Sequence, residues 1–319
     1  MEVLFIGDIH LSGKNPPERI DDVTAVQFDK INEIVDTANE YDVPIICTGD
    51  IFHTPIVSNT ILTTFGHTLK RLKREFYFVL GNHDLQYHDL ERIDRTSIGV
   101  VWSNNEKIRH IGTFHNYYGS NREWAYIDYN MPPNCPANAK YLLSHKAIVN
   151  DYLVNSESWI ADDETFCQAA SDFENLNLKL IICGHWHKPF TFSQKSTLVI
   201  NPGPVIRRQI VEREIPIMIL MDLDSLEYDK IQLTTALPTD EVLRETSLKQ
   251  ELKPISERIL QFINNIKVRK QIKRSVKFMD GINDLLKKES TLEPKIKDKL
   301  KEIISILAER KGDRFNAND

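Results

Sequence analysis

Apolar runs alternate with amphipathic segments in the first 84 residues of the chain. Short apolar runs at residues 3–7, 43–47 and 76–80 predict buried strands. Between these runs, apolar residues recur at helical spacing in residues 28–38 and 61–72. The order strand–helix–strand–helix–strand predicts parallel strands joined by right-handed crossovers. The carboxyl ends of these strands are therefore expected at one edge of a sheet.

The pattern after residue 84 is less regular. A helix is expected near residues 163–170, and residues 215–233 have the pattern of a β-hairpin. Further apolar runs predict strands at residues 100–102, 124–127, 141–145, 179–183, 197–200 and 216–221. From about Asp240 the strand signals end, and apolar residues recur at helical spacing after Pro254 and Pro294. The chain is therefore expected to form an α/β domain followed by a mainly helical C-terminal extension.

The composition is that of an ordinary globular protein. A length of 319 residues allows two or three domains, and the chain is 41% hydrophobic and 27% charged. No apolar run approaches the roughly 18–20 residues that cross a bilayer, and the N-terminus has no signal-peptide pattern. The four cysteines show no CxxC spacing, which argues against a disulfide framework. We expect a cytoplasmic protein that does not bind membranes.

Charge is divided unevenly along the chain. Residues 241–319 carry 19 Lys and Arg against 13 Asp and Glu, whereas residues 1–240 carry 21 against 33. The basic part contains one run without any acidic residue, formed by Lys267, Arg269, Lys270, Lys273, Arg274 and Lys277. We predict that this run binds DNA phosphates or an acidic partner, with a solvated helix face as the alternative. The predicted domains are residues 1–238 and a basic helical region at residues 239–319.

Side chains that can bind metal ions follow the predicted strands. Three carboxylates, five imidazoles and one amide share this position: Asp8, His10, Asp50, Asn82, His83, Asp84, His145, His185 and His187. Mixed oxygen and nitrogen donors suit Mn²⁺, Fe²⁺ or Zn²⁺ and not Ca²⁺. One ion needs about four to six donors, so the set is large enough for two ions about 3.5–4 Å apart that share a carboxylate.

Such a pair of ions suits one kind of chemistry. It stabilises an attacking hydroxide and the charge that builds up on a phosphate, while a nearby His donates a proton to the leaving oxygen. No covalent nucleophile from the protein is required. The residues therefore predict metal-dependent hydrolysis of a phosphate ester.

Five short motifs carry a resemblance to a known family. In chain order they are Asp8-Ile9-His10, Gly49-Asp50, Gly81-Asn82-His83-Asp84, the single His145 and Gly184-His185-Trp186-His187. Together they resemble the calcineurin-like metallophosphoesterases over about residues 1–222. With Leu11 and Asp84, the chain is more similar to the DNA double-strand-break repair nucleases of the SbcD and meiotic recombination eleven type, and to their phage relatives, than to protein phosphatases. The resemblance implies a two-sheet β-sandwich flanked by helices.

The resemblance also implies which residues bind the ions. Asp8, His10 and His187 would bind one ion. Asn82, His145 and His185 would bind the second, and Asp50 would bridge both. The expected cofactor is a pair of divalent ions, with Mn²⁺ first and Fe²⁺, Zn²⁺ or Mg²⁺ as alternatives.

Further residues receive catalytic or binding roles. By resemblance, His83 would be the proton donor, Asp84 would orient its imidazole, and His53 would take part in DNA processing. Arg207 and Arg208 follow the last motif and are candidate contacts to DNA phosphates, with surface solvation as the alternative.

The C-terminal region departs from the larger members of this family. Those proteins carry a DNA-capping domain with its own β-structure, whereas only about 80 mostly helical residues follow the catalytic part here. Family members use C-terminal helices to bind a coiled-coil ATPase of the SbcC type, and they dimerise through helices flanking the sheet. The expected partners are therefore DNA and such an ATPase, with a homodimer as an open alternative. A compact, phage-like version of the subunit fits best, and a phage-encoded chain would be expected in the host cytoplasm.

Three functions remain in competition at this point. The first is a two-metal DNA endonuclease or exonuclease in DNA end processing, recombination and replication. The second is a phosphodiesterase or phosphatase acting on small molecules or phosphoproteins. The third is a non-catalytic DNA-bound scaffold with a structural metal site. The basic helical region favours the first over the second, and the complete ligand set with a proton donor argues against the third.

Overall fold

A computed structural model describes residues 1–116, 124–129, 131–156 and 167–244 of the chain. The first compact unit comprises Met1–Glu245. Most of the predicted helical extension, from residue 245 onwards and including its basic run at residues 267–277, lies outside the described residues. The division into a catalytic domain at residues 1–238 and a binding region at residues 239–319 stays a prediction.

The described residues form thirteen strands and five α-helices. The strands are β1 (Glu2–Ile6), β2 (Ile45–Cys47), β3 (Phe76–Phe78), β4 (Ile108–His110), β5 (Trp124–Ile127), β6 (Tyr141–Ser144), β7 (Ala147–Val149), β8 (Cys167–Ala169), β9 (Leu180–Cys183), β10 (Phe190–Gln194), β11 (Thr197–Asn201), β12 (Ile217–Asp222) and β13 (Tyr228–Gln232). The helices are α1 (Val23–Tyr41), α2 (Asn59–Lys70), α3 (Ser97–Asn104), α4 (Asp151–Ser156) and α5 (Thr239–Val242). None of these helices is both long and apolar enough to cross a membrane.

The strands form two large sheets and one small ribbon. The six-stranded sheet has the order β13-β12-β1-β2-β3-β4, in which β1 to β4 are parallel and the β12–β13 hairpin is antiparallel. The five-stranded sheet has the order β10-β11-β9-β6-β5, and only β10 runs antiparallel to its neighbour. Strands β7 and β8 pair separately. The predicted parallel strands and the predicted hairpin are therefore confirmed.

The two sheets pack face to face and are also covered on their outer faces. Phe5 and Tyr77 of the larger sheet belong to the same buried cluster as Leu143 and Ile182 of the smaller sheet. On the outer face of the larger sheet, a second cluster joins its strands to the apolar faces of α1, α2 and α3. The fold is thus a two-sheet sandwich with flanking helices, as predicted. Burial on both faces explains why the strands are continuous apolar runs.

Residues 100–102 are not a strand, contrary to the prediction. They lie inside α3, where Ile98 and Val101 are buried and Val100 is 41% exposed. The hydroxyl of Thr96 accepts a hydrogen bond from the Gly99 amide at 3.2 Å and caps the helix. The apolar run is therefore amphipathic at helical spacing, and its β-branched residues misled the prediction.

The predicted helix near residues 163–170 is also wrong in its described part. Residues 167–169 form β8, which pairs in parallel with β7, and a short 3₁₀ helix follows at Ala170–Leu176. Pairing with a distant strand decides the local structure here, and no periodicity within the segment reports it.

Helix α1 also carries polar side chains into the interior. Gln27 accepts a hydrogen bond from the Ser12 amide at 3.0 Å, and Lys30, which is 2% exposed, donates to the carbonyl of Val205 at 3.3 Å. Burial, together with the charges of the nearby Arg19 and Arg207, lowers the pKa of Lys30 to about 7. The helix thereby holds in place two loops that lead to the candidate site. Burial of the Lys30 ammonium makes an unfavourable contribution to the free energy of folding.

We expect Lys30→Met to raise the free energy of unfolding by about 2–4 kcal/mol at pH 7. The folded protein favours neutral Lys30, whereas the unfolded chain keeps the proton up to pH values near 10.5. The stabilisation of Lys30→Met relative to the wild type should therefore decrease as the pH rises from 7 towards 9.5. Urea denaturation at both pH values measures it. Lys70→Met, at an exposed position of α2, is the control. A destabilised Lys30→Met protein at pH 7 would contradict this account.

Candidate metal centre

The predicted ligands follow strands of both large sheets. The larger sheet supplies Asp8 and His10 after β1, Asp50 after β2, and Asn82 and His83 after β3; the smaller sheet supplies His145 after β6, and His185 and His187 after β9. Parallel strands place their carboxyl ends at the same edge of a sheet. These edges meet, because side chains from both sheets lie within bonding distance of each other.

Three of these residues have left-handed backbone conformations. The φ angles are 55° at His10, 45° at Asp50 and 66° at His185. Residues with a Cβ atom rarely adopt this region, which costs of order 1–3 kcal/mol each. The strain turns the chain sharply after each strand and aims the side chain into the site.

Two glycines leave room for the carboxylates. A Cβ atom at Gly81 would lie 2.0 Å from Asp50 Oδ1, and one at Gly184 would lie 2.4 Å from Asp8 Oδ1. Both distances are too short for non-bonded atoms. The glycines that begin the third and fifth motifs are therefore required by close packing against the ligands.

The first ligand group comprises Asp8, His10 and His187, whose ligand atoms lie within 4.8 Å of one another. The Nε2 atoms of the two imidazoles are 2.9 Å apart, and His187 Nε2 is 3.6 Å from Asp8 Oδ2. The Thr48 hydroxyl donates to Asp8 Oδ1 at 2.6 Å, and the His185 amide donates to Asp8 Oδ2 at 2.9 Å. These two donors hold the carboxylate in a fixed orientation.

The second ligand group comprises Asp50, His145 and His185, again within 4.8 Å. Asn82 joins it, because its Oδ1 lies 3.0 Å from His145 Nε2. Asp50 Oδ2 is 3.5 Å from His145 Nε2 and 3.6 Å from His10 Nε2. One carboxylate oxygen therefore faces both groups, which is the position that a bridging ligand requires.

The hydrogen bonds show that these groups fit cations. His145 Nδ1 lies 2.8 Å from the Thr48 carbonyl, which can only accept, so Nδ1 carries the proton and Nε2 carries a lone pair. That lone pair faces Asn82 Oδ1 and Asp50 Oδ2, which are also acceptors. Three acceptors directed at one another repel unless a cation lies between them.

The pKa values of the ligands lead to the same conclusion. Burial raises the pKa of Asp8 to about 6 and raises that of Asp50 well above its usual range. Burial also holds the pKa of His10 and His145 well below the usual value, so their imidazoles are neutral. Neutral imidazoles and carboxylates that need a counter-charge suit two divalent ions.

A third group, formed by His10, His53 and His83, adjoins the first two. His83 Nδ1 lies 2.6 Å from the His53 carbonyl, so Nδ1–H is the donor and Nε2 is available to a substrate. The His83 amide donates to Asp50 Oδ1 at 2.8 Å, which connects this residue to the bridging carboxylate. The His53 ring stacks on the His83 ring with 4.9 Å between centroids. The structure thus brings His53 to the centre.

Asp84 does not orient the His83 imidazole, contrary to the prediction. Its carboxylate is fully buried and accepts from the Phe52 amide at 3.2 Å and from the Gly81 amide at 3.0 Å. The His53 carbonyl holds the imidazole instead. Asp84 therefore fixes the backbone of two loops that carry ligands.

Arg207 and Arg208 point to different places. Arg207 is 1% exposed, and it donates to the Thr239 hydroxyl at 2.8 Å and to the Leu237 carbonyl. The prediction that it contacts DNA is wrong, because the side chain is buried and hydrogen-bonded in the interior.

Arg208 is half-buried beside the centre. After burial, its charge is the largest cause that lowers the pKa of His53, which falls to about 4. Arg208 Nη1 has no hydrogen-bond partner among the described residues.

Glu212 is a functional residue that the sequence analysis missed. It is 5% exposed, and its Oε1 accepts from His187 Nδ1 at 2.6 Å. Its Oε2 accepts from the amides of Arg208 and Gln209. Burial lowers the pKa of His187, but the bond to Glu212 and the charge of Asp8 outweigh it and leave the pKa raised. No short motif marks this residue, since strands β10 and β11 and a further loop separate it from His187.

We expect Glu212→Gln to weaken Mn²⁺ binding by about tenfold or more, because loss of a carboxylate that holds a ligating imidazole typically costs 10–100-fold in affinity. The amide nitrogen of Gln also cannot accept from the loop amides. Isothermal titration with Mn²⁺ measures the change. Glu214→Gln, at an exposed position on the same loop, is the matched control. Equal affinities in the two variants would show that Glu212 does not hold the ligand.

Comparisons with known proteins assign the chain to a family. Residues 1–189, which contain all five motifs, match the family described as calcineurin-like phosphoesterase. A sequence search of proteins with curated functions finds no match. One similar solved structure is described as a novel archaeal phosphodiesterase; it is 16% identical, covers 73% of this chain and 100% of its own, and gives a TM-score of 0.37. A second is 13% identical, covers 73% of this chain and 99% of its own, and gives a TM-score of 0.45. With the family match spanning more than half of its length, this chain belongs to the calcineurin-like phosphoesterase family.

Proposed function

We propose that the chain is a two-metal nuclease that hydrolyses phosphodiester bonds in DNA. Family membership makes it a metal-dependent phosphoesterase. The observation that carries the two-metal part is the position of Asp50 Oδ2 between two groups of ligands, 3.6 Å from His10 Nε2 and 3.5 Å from His145 Nε2. The proposal that DNA is the substrate rests on Leu11 and Asp84 in the motifs and on the basic run at residues 267–277.

The residues divide the work as follows. Asp8, His10 and His187 would hold one ion, and Asn82, His145 and His185 the other, with Asp50 between them. When bound, two divalent ions, of which Mn²⁺ is the first choice, supply the nucleophile and neutralise charge on the phosphate. The side chains themselves would hold the substrate phosphate in one orientation, and one of them would transfer a proton.

Arg208 is suited to bind the substrate phosphate. Burial is the main cause that lowers the pKa of His10, His53 and His83, and the positive charge of Arg208 adds to this effect. The same charge opposes the rise in the pKa of His187. The guanidinium therefore lies close to all four imidazoles. A guanidinium with an unpaired buried Nη1 can donate to a non-bridging phosphate oxygen. This contact would orient the phosphate over the ions.

His83 is suited to protonate the leaving oxygen. Because Nδ1–H is bound to the His53 carbonyl, Nε2 is the atom that exchanges protons with a substrate. Burial lowers the pKa of His83, so the ring is neutral in the free protein at pH 7. An anionic phosphate next to Nε2 would favour the imidazolium that donates the proton.

Charge explains how DNA would be bound. Residues 1–240 carry 21 Lys and Arg against 33 Asp and Glu, so the catalytic part repels a polyanion except at Arg208 and the ions. The basic run at residues 267–277 would supply the missing attraction. We further propose that the C-terminal region binds an SbcC-type coiled-coil ATPase, so that break processing depends on both subunits. A homodimer stays an open alternative.

Two other functions compete with this proposal. A phosphodiesterase for small molecules, or a phosphatase for phosphoproteins, would use the same ligands and the same His83. A DNA-bound scaffold would use the ions for structure alone. The substrates of the following experiment separate the three.

We expect the full-length chain with Mn²⁺ to cleave single-stranded DNA or duplex DNA with free ends, and Asp50→Ala to lose this activity. Removing the bridging carboxylate should lower the rate by at least about 100-fold, since both ions lose a ligand. Release of labelled nucleotides measures cleavage, and bis-p-nitrophenyl phosphate is assayed in parallel. Hydrolysis of the small diester alone, unchanged when an SbcC-type ATPase is added, would favour the small-molecule enzyme. Mn²⁺ binding without hydrolysis of any substrate would favour the scaffold.

We expect His83→Asn to retain Mn²⁺ binding and to lose activity by about 10²–10⁴-fold, the usual contribution of a positioned proton donor. Titration with Mn²⁺ and steady-state kinetics on the same preparation measure the two effects. His67→Asn, at an exposed position of α2, is the control for a His substitution away from the centre. Full activity of His83→Asn would rule out the proton-donor role.

A further inference from the structure

One loop supplies two of the side chains at the metal centre. Residues 207–213, the Arg208 loop, lie between β11 and β12. They include Arg208, the proposed phosphate contact, and Glu212, whose Oε1 accepts from His187. Glu212 Oε2 in turn accepts from two amides of the same loop. A displacement of the Arg208 loop would therefore move the guanidinium away from the phosphate and also weaken the support of a metal ligand.

The two ends of this loop are tied together by a single hydroxyl. Thr239 Oγ1 accepts a hydrogen bond from Arg207 Nη1 at 2.8 Å and donates one to the Arg213 carbonyl at 2.5 Å. The Arg207 guanidinium also donates to the Leu237 carbonyl. These contacts come from the anchoring segment, residues 237–244, which follows β13 in the chain. The Arg208 loop is thus closed by residues that lie outside both large sheets.

The anchoring segment is itself fixed to the loop before α1. The Arg244 amide donates to the Glu18 carbonyl at 2.9 Å. The Glu18 carboxylate then accepts from the Ile210 amide of the Arg208 loop at 2.5 Å. The two loops and the anchoring segment therefore form one hydrogen-bonded unit, so that Thr239 holds the Arg208 loop from a fixed position.

Buried cations belong to this unit as well. Arg19 and Arg207 are both buried, and Arg19 Nη1 donates to the Arg207 carbonyl at 3.0 Å. Arg19 also pairs with Asp21 at 2.5 Å. Side chains at this depth do not contact a macromolecular substrate, and separating them from their partners would leave buried charges unpaired, which is strongly unfavourable. Their geometry suits them to hold the loop and not to bind a ligand.

We propose that Thr239 is a positioning residue whose hydroxyl, by closing the Arg208 loop, holds both Arg208 and Glu212 at the metal centre. Residues 239–244 would then serve the catalytic part of the chain, although the sequence pattern assigns them to the C-terminal binding region. The inference rests on the proposed phosphodiester hydrolysis for the contact between Arg208 and phosphate. The support of His187 by Glu212 does not depend on that hydrolysis.

The first test measures the loop without metal or substrate. Thr239→Val removes the hydroxyl at nearly constant size, whereas Thr239→Ser keeps it. In the metal-free full chain we expect Thr239→Val to speed hydrogen–deuterium exchange of residues 206–214 by at least about threefold, the factor expected for loss of a typical hydrogen bond. Mass spectrometry of peptic peptides measures the exchange. Thr239→Ser should keep the wild-type rate.

Thr235→Val is the matched control for this substitution. Thr235 lies in the same connection after β13 and is half-buried like Thr239, but its hydroxyl donates to Glu33 of α1 at 2.6 Å. Its loss should leave exchange of the Arg208 loop unchanged. If Thr239→Val prevents folding, Thr239→Ala replaces it, with Thr235→Ala as the control.

Two further readouts separate positioning from a general loss of stability. Isothermal titration should show Mn²⁺ binding weakened by at least about threefold in Thr239→Val, since Glu212 then supports His187 less well. At saturating Mn²⁺, KM for bis-p-nitrophenyl phosphate should rise by at least about threefold, while kcat falls less. The reason is that Asp50 and His83 are held by other contacts.

The outcomes distinguish this inference from the proposed function. Faster loop exchange and weaker Mn²⁺ binding in Thr239→Val, without hydrolysis of any diester by the wild type, would support the inference and overturn the hydrolysis. Hydrolysis by the wild type, with wild-type exchange, affinity and KM in Thr239→Val, would overturn the inference and leave the phosphodiesterase standing. Faster exchange throughout the chain at unchanged KM would show a purely structural role and would also overturn the inference.

Discussion

The candidate site is organised by acceptors that face one another. Asp50 Oδ2 lies within 3.6 Å of His10 Nε2 and His145 Nε2, and the hydrogen bond from His145 Nδ1 to the Thr48 carbonyl leaves His145 Nε2 with a lone pair. Such a group is unfavourable in a buried site until cations neutralise it. The left-handed backbone at three ligands and the glycines beside the carboxylates add to this cost. Binding energy from the ions must therefore offset strain that the apolar core sustains in their absence.

Much of this arrangement could be predicted from the sequence, because the strongest signals are local. Strands that are buried on both faces leave continuous apolar runs, and the residues after them are the ones that meet at the sheet edge. The structure brings Asp8, His10 and His187 together as one group and places Asn82 and Asp50 beside His145. The family resemblance divided the ligands in the same way. Parallel topology alone explains why residues so far apart in the chain become neighbours.

The remaining features depend on contacts that no local pattern reports. The apolar run at residues 100–102 became a helix because Ile98 and Val101 pack on the sheet, whereas its composition favoured a strand. Asp84 and Arg207 look like site residues in the sequence, yet their partners are backbone amides and the segment at residues 237–239. Glu212, by contrast, has no motif in the sequence that marks it as a site residue, and only the folded loop brings its carboxylate to His187. Hydrogen-bond partners distant in the chain decide all three.

The ligands come from both sheets, and this has a consequence for how the protein is assembled. Each group combines side chains that follow strands of the larger sheet with side chains that follow strands of the smaller one. An ion held by either of these two groups would connect the two sheets, in addition to the apolar core between them. Neither half of the chain carries a complete set of ligands. High affinity for metal ions is therefore expected only when the two sheets are packed together. Because the ions bind this folded state and not the unfolded chain, their binding shifts the folding equilibrium towards it.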